Sequence, residues 1–461
     1  MSSVRRKTNT SKTVKRLLYF IALLPSILLA QHSIKGTFSP AKEYNFALLY
    51  KVTPTLSEYI SNTEIDKETG GFEFKLDSTR TKGMYRVVYA IPQEDYNFDI
   101  IYNGKEDIEL TFNSETGVTF KKSSENKLLA SYTNSMSMVT QSIGNYFRDE
   151  NKKNSKALKA IFKTQQETQE NFEKAAEGMM ALDFIKANKP YIPSDFEDLK
   201  TYINNLRTHY FDHIDFNSKA LQSSNFLEEK MLNYVFGMSS EIEDEATVYK
   251  NNIDVFHEVL KTTPQGVKRI LLVDLWQQMA DLGFESVANY ISDKYLMPVA
   301  KSLNDKDLID GLTLFKNTSI GRKAPDFTLE IKKDKALVKT QLSALNVAKK
   351  YIVVFWSSTC SHCLDEIPQL HSFVNTLEKG DVKVIAVGLE DDPYKWKDLT
   401  YTYTSFIHVY GEGRWENKIG NDYGVTSTPT YFILDKDKKF ISKPEDFKAL
   451  KAFFGEEAEE E

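Results

Sequence analysis

At 461 residues the chain is too long for one ordinary domain, and its 24 Tyr and 29 Phe against only 13 Pro supply enough apolar mass for more than one core. A formal charge of −6, with no basic stripe interleaved with aromatics, argues against nucleic acid as a partner. Only two cysteines occur, so any disulfide within one chain joins Cys360 to Cys363.

Residues 1–30 read as a targeting segment. Arg5, Arg6, Lys7, Lys12, Lys15 and Arg16 form a basic start. Leu17 to Ala30 is an apolar stretch broken by Pro25, short for a bilayer span and suited to a secretory signal. Ala30 fits the last position before a cleavage site, while Leu28 is bulky two residues earlier. An uncleaved membrane tether through residues 17–30 is therefore the alternative. No cysteine follows the stretch, which excludes lipidation there. The expected location is the periplasm or cell envelope, reached by secretion across the inner membrane, where thiols are oxidised unless an enzyme system intervenes.

Residues 31–125 predict an all-β, sandwich-like domain. Apolar alternation recurs in Phe46 to Val52, Phe72 to Leu76, Tyr85 to Ile91 and Val118 to Phe120. Asn103-Gly104, between Phe98–Tyr102 and Ile108–Phe112, predicts a type I′ hairpin. Residues 126–315 predict an all-α middle domain without a fixed-period repeat. Its expected caps are Ser194 with Glu197, Thr263 ahead of Pro264, and Asn304. His209 and His213 have a spacing that can bind metal, but without a third ligand in register they read as a solvated helix face. Residues 316–455 predict a C-terminal α/β domain entered through a linker, Lys316 to Arg322. It would open with a hairpin over Phe327–Ile331 and Leu337–Thr340, and residues 456–461 would form an acidic disordered tail.

The chemistry concentrates in Tyr351 to Pro368. Ile352–Trp356 is an apolar, β-branched and aromatic run that predicts a buried strand. Ser357 to Thr359 end it, Cys360 and Cys363 follow at C-x-x-C spacing, and Leu364, Ile367, Leu370 and Phe373 share a helical face. Cys360 is thus expected at the helix start, where unpaired N–H groups and the positive dipole end favour thiolate. Cys363, one turn on, is placed to attack a mixed disulfide at Cys360. Enriching the thiolate roughly 25-fold lowers intrinsic nucleophilicity about 8-fold, so attack gains only about threefold. The helix end therefore governs redox poise more than speed.

Around the dithiol, His362 can help hold a thiolate at Cys360, against the plain alternative of an exposed helix residue. Zinc would need His362 and His371, which the helix points apart, so neither a metal nor any other cofactor is expected. Glu366 is either a proton acceptor for Cys363 or an ordinary surface glutamate; spacing alone leaves this open. Trp356 is expected as core beneath the site and is grouped with its substrate-binding edge.

FWSSTCSHCLDEIP resembles the thioredoxin superfamily, and within it the TlpA/ResA-like bacterial envelope branch. Gly321, Ala324, Pro325, Asp326 and Phe327 match that branch's G-x-x-A-P-D-F opening. Glu366, Pro368 and Thr428-Pro429-Thr430 match its active-site glutamate, helix proline and cis-proline loop. Thr359 departs from the tryptophan often found before the first cysteine. The resemblance covers about the last third of the chain and implies a thioredoxin-like fold there. It implies Cys360 as attacking and Cys363 as resolving cysteine, joined as a redox-active disulfide, with Glu366 as proton acceptor. It implies that Thr428 and a cis Pro429 bind substrate.

The function implied is thiol-disulfide exchange with envelope proteins. Reduction is typical of the branch and requires a membrane electron-donor oxidoreductase, in the service of cytochrome c maturation or cell redox homeostasis. His362 argues for oxidation instead. A thiol peroxidase shares the Gly321–Phe327 opening, but Val353 and Ser357 stand where its signature places Pro and Thr. A non-catalytic envelope scaffold is the other alternative.

Overall fold

The computed structural model describes residues 32–55, 57–149, 154–238, 244–333 and 336–460, so the basic and apolar stretch over 1–30 lies outside the described residues. The chain packs as two compact units, 1–238 with 259–263 and 239–258 with 264–461.

The first unit opens with β1 (His32–Ser39), β2 (Phe46–Val52), β3 (Ser57–Glu64), β4 (Gly71–Leu76), β5 (Gly83–Val88), β6 (Asn97–Tyr102), β7 (Ile108–Asn113) and β8 (Gly117–Lys122). They form two four-stranded sheets, ordered β4-β1-β7-β8 and β3-β2-β5-β6. Alternate residues of β4 and β7, among them Phe72, Phe74, Ile108 and Leu110, share one core with Leu49, Tyr85, Val87 and Ile100. The hairpin expected at Asn103-Gly104 is not there. β6 and β7 belong to different sheets, and only Gly104 takes positive φ, 74°, where a type I′ turn needs it at both residues. Asn103 instead accepts the Lys105 N–H at 2.9 Å, and the turn carries the chain from one sheet to the other. The hairpin forms one strand later, β7 to β8, with Gly117 at φ 75°.

Helices α1 (Ser124–Arg148), α2 (Ser155–Ala175), α3 (Ala181–Ala187), α4 (Leu199–Thr208) and α5 (Phe226–Gly237) complete this unit. Asn126 bonds both backbone groups of Ile101, at 2.7 and 2.8 Å, and so pins the start of α1 to β6. Asp198, not Ser194, caps α4 by accepting the Thr201 N–H at 2.8 Å; Glu197 takes the Tyr191 hydroxyl at 2.6 Å. His209 is the C-cap of α4 and sits 2.6 Å from Asp212, while His213 lies in the turn beyond.

The second unit holds α6 (Glu245–Val259) up to Glu258, α7 (Gln265–Asp281), α8 (Glu285–Ile291), a π-helical turn Ser292–Leu296, α9 (Met297–Ser302) and α10 (Lys306–Asn317). Pro264 stands at the N-cap of α7 rather than inside its first turn. Asp305, not Asn304, caps α10, through the Leu308 N–H at 3.2 Å. After α10 the chain does not run free as a linker. Gly321 N–H donates to Phe440 at 2.7 Å and Ala324 N–H to Lys438 at 2.8 Å.

A hairpin of β9 (Thr328–Lys333) and β10 (Ala336–Gln341) leads into β11 (Lys350–Trp356), α11 (Ser361–Val374), β12 (Val382–Glu390), α12 (Pro393–Thr400), β13 (Ile407–Glu412), α13 (Lys418–Asp422), β14 (Thr430–Leu434), β15 (Phe440–Ser442) and α14 (Phe447–Glu460). The sheet order is β13-β12-β11-β14-β15, parallel from β11 to β13 and antiparallel at β14 and β15. Every residue from Tyr351 to Trp356 is fully buried because both faces are covered. Tyr351, Val353 and Phe355 face one cluster with Phe327, Tyr423 and Phe440. Ile352, Val354 and Trp356 face the other, with Cys363, Ile367 and Leu450. α14 continues to Glu460, where composition predicted a frayed tail.

α12 approaches β12 where that strand has no side chain. A Cβ on Gly388 would lie 2.0 Å from Trp396 Nε1 and 2.4 Å from its Cδ1. Gly388→Ala is therefore expected to destabilise the second unit by about 1–3 kcal/mol through overpacking. Urea unfolding followed by tryptophan fluorescence measures this, and a midpoint equal to wild type would show that the Trp396 ring moves aside freely.

Candidate active site

β11 ends at Trp356, and Ser357–Thr359 carry the chain to α11. The first helical N–H groups need an acceptor, and Cys360 provides it. With extended backbone at φ −89° and ψ 122° it occupies the N-cap, and its sulfur accepts the Cys363 N–H at 3.3 Å. The same sulfur donates to the Thr428 carbonyl at 3.2 Å, and the Thr428–Pro429 peptide is cis. Cys360, Cys363, Thr428 and Pro429 thus converge where β11 meets α11 and the chain enters β14.

The two thiols differ sharply in environment. Cys360 is half-buried and Cys363 fully buried. Burial alone would push the Cys360 thiol up. Hydrogen bonds from the Cys363 thiol, the Thr428 side chain and the N–H groups of Cys363 and His362 outweigh it, leaving Cys360 below the ordinary thiol value. Cys363 is pushed up to about 12, first by burial and then by its bond to Cys360. Cys360 therefore ionises more easily than an ordinary thiol, whereas Cys363 resists ionisation.

The remaining predicted residues separate. His362 offers Cys360 its backbone N–H, while its ring belongs to an exposed residue. Glu366 is half-buried, and its Oε2 accepts both the Tyr431 hydroxyl at 2.8 Å and the Phe447 N–H at 3.0 Å. Trp356 does not belong on a substrate-binding edge. It is wholly buried and meets Tyr403 edge-on at 6.2 Å, so it supports the site from below. Thr359 is exposed at the rim.

Two residues that sequence reasoning passed over belong to this site. Glu390, 3% exposed at the end of β12, accepts the Ser358 N–H and, at 3.3 Å, the Ser357 hydroxyl. It ties the loop before Cys360 to the neighbouring strand. The signal was its place at the carboxyl end of a parallel strand, where α/β sites gather; the acidic run Glu390-Asp391-Asp392 reads as a solvated loop instead. Tyr431 is the other, buried directly after the Pro429 loop. Among the described residues no group of three or more His, Cys, Asp or Glu side chains could hold a metal ion.

An accessible, readily ionised thiol beside a buried, protonated one suits thiol-disulfide exchange. Residues 319–445 match the Redoxin family model. The thiol-disulfide oxidoreductase ResA of Bacillus thuringiensis (strain Al Hakam) is 28% identical over 125 residues, covering 27% of this chain and 68% of that protein. The thiol:disulfide interchange protein DsbE of Xylella fastidiosa (strain 9a5c) is 31% identical over 123 residues, covering 25% of this chain and 56% of that protein. Among solved structures, a thioredoxin-like protein from Bacteroides caccae ATCC 43185 aligns with 57% of this chain and 96% of its own at 16% identity and a TM-score of 0.30. A thiol-disulfide oxidoreductase from Bacteroides fragilis NCTC 9343 covers 29% of this chain and 98% of its own at 20% identity and a TM-score of 0.25.

The Redoxin match over residues 319–445 and the ResA and DsbE relatives support a thioredoxin-superfamily protein. Within that superfamily the protein is TlpA/ResA-like, and its enzymatic class is thiol-disulfide oxidoreductase.

The asymmetry of the thiols is open to chemical test. Iodoacetamide at pH 7 is expected to label Cys360 and spare Cys363 in the folded chain. The Cys360 rate should level off at a lower pH than that of free cysteine, since the reactive species is the thiolate. A second label should enter only on unfolding. Equal labelling of both thiols in the native protein, read by peptide mass, would contradict the geometry.

Proposed function

We propose that this protein exchanges disulfides with other proteins outside the cytoplasm through Cys360 and Cys363, working in the reductive direction. The observation that carries the reading is the placement of Cys360 Sγ between the Cys363 N–H and Thr428, with Cys363 fully buried behind it.

The Cys360 thiolate attacks one sulfur of a substrate disulfide. A Cys360–substrate bond forms, the substrate S–S bond breaks, and one substrate sulfur leaves as thiolate. Cys363 then loses its proton to Glu366 and attacks Cys360 Sγ, closing the Cys360–Cys363 disulfide and releasing the second substrate thiol. Two electrons pass from the dithiol to the substrate. A membrane oxidoreductase restores the dithiol. Thr428 and Pro429 meet an extended substrate segment alongside β14.

The bonds holding a Cys360 thiolate, from the Cys363 and Thr428 side chains and from backbone N–H groups, stabilise the reduced form and raise the potential of the couple, so the reductive direction rests on the resemblance to the TlpA/ResA-like branch. The His362 ring, the sequence feature that argued for an oxidant, belongs to an exposed residue. The extracytoplasmic setting rests on the basic and apolar residues of 1–30. Among the described residues no helix is long and apolar enough to cross a membrane.

Two measurements test the proposal. Cys363→Ala should trap substrate proteins as mixed disulfides that disappear with added reductant, and Cys360→Ser, Cys363→Ser should trap none. Cells in which that double variant retains full function would favour a scaffold. The wild-type couple should equilibrate near −270 mV, whereas a value near −120 mV would reverse the proposed direction.

A further inference from the structure

Tyr431 is 1% exposed in β14, opposite Val354 of β11, and shares a core with Cys363, Ile367 and Leu450. Phenylalanine would fill the same space. The hydroxyl matters because a buried phenol needs a partner, and of the acceptors nearby it takes the Glu366 carboxylate at 2.8 Å. The second donor to that oxygen, the Phe447 N–H at 3.0 Å, comes from the first residue of α14, where the helix dipole also favours an anion. Both bonds fall on Oε2, so neither claims Oε1. Glu366 and Cys363 are three apart on α11, a spacing that puts them on one helix face.

We propose that Tyr431 is the positioning residue of the proton acceptor, holding Glu366 together with the first N–H of α14 so that the carboxylate is set to receive the Cys363 proton. This rests on the dithiol mechanism above. A free glutamate samples several rotamers and would reach Cys363 only part of the time, whereas two donors on one oxygen leave a single arrangement with the second oxygen available. The Tyr431 phenol is pushed well up, first by burial, then by its bond to Glu366, with a further contribution from Cys363. It therefore remains a donor across the working pH range and lies close enough to feel a Cys363 thiolate. Tyr431 transfers no proton itself. The proton goes from Cys363 Sγ to Glu366 as the Cys360–Cys363 bond forms and the Cys360–substrate bond breaks.

The experiment follows both exchange steps in one trace. Full chain, fully reduced, is mixed with 5,5′-dithiobis(2-nitrobenzoate) in a stopped-flow instrument. One coloured thiolate is released on attack by Cys360 and a second on resolution by Cys363. Tyr431→Phe should leave the first phase within about twofold of wild type and slow the second about tenfold, the effect of losing one hydrogen bond to a charged group. Glu366→Gln should slow the second phase about a hundredfold. The double variant should be no slower than Glu366→Gln alone, because Tyr431 then has nothing to position. Phe447→Pro removes the other donor at a helix position that tolerates proline, and should likewise slow only the second phase.

A Tyr431→Phe protein slowed equally in both phases, or a double variant slowed by the product of the two single effects, would reduce Tyr431 to packing and overturn the proposal. So would Glu366→Gln resolving at the wild-type rate, although the dithiol reading would stand. If wild type shows no second phase at all, the dithiol mechanism fails, and the positioning role fails with it.

Discussion

A helix must satisfy its first N–H groups, and in α11 the group that does so is a cysteine thiol, Cys360. Serine, threonine, asparagine or aspartate usually fills the N-cap, each through a side-chain oxygen. Here Cys360 Sγ accepts the Cys363 N–H. That bond strengthens as the sulfur gains negative charge, so the start of the helix and the thiolate stabilise one another. The rest of the domain keeps this junction in place. β11 is buried along its whole apolar length, pairing with β12 on one side and β14 on the other, and it delivers the chain to the cap from a fixed direction.

Two cysteines of identical chemistry acquire opposite tendencies within one helical turn. Cys363 points into the cluster of Ile367, Leu370 and Trp356, where an anion is poorly solvated. Cys360 stands at the edge, with donors around it. The two carboxylates divide in a similar way. Glu390 is almost completely buried and both of its oxygens are engaged by the Ser357–Ser358 turn, which fits a brace better than a base. Glu366 is half-buried with both donors on a single oxygen. On the proposed mechanism, the oxygen left over is the one that receives the Cys363 proton.

What could be read beforehand followed from local pattern. The apolar run ending at Trp356, the C-x-x-C spacing and the helical face through Leu370 each depend on neighbours in sequence. The errors arose where long-range pairing decides. Asn103-Gly104 carries a strong local turn signal, yet β6 is claimed by β5 and β7 by β1, so the turn crosses between sheets. Caps slipped by one residue at Asn304 and by four at Ser194 because Asp305 and Asp198 offer a better-placed carboxylate. β13 was not anticipated, since His408, Gly411 and Glu412 weaken its alternation and its place at the edge of the sheet comes from β12. Tyr431 and Glu390 lie 65 residues beyond Glu366 and 32 beyond Ser358, and only folding brings those pairs together.

Thr428 meets Cys360 in two ways, and the pair of contacts links ionisation to access. Its side chain favours the thiolate, whereas its carbonyl accepts the thiol proton at 3.2 Å. A thiolate has no proton to donate. When Cys360 ionises, the bond to the carbonyl is lost and that acceptor needs a new donor. An extended substrate segment carries such donors along its backbone. On the proposed mechanism, the event that arms the nucleophile is therefore the same one that opens the neighbouring backbone to substrate. Attack and docking need no separate signal to be synchronised.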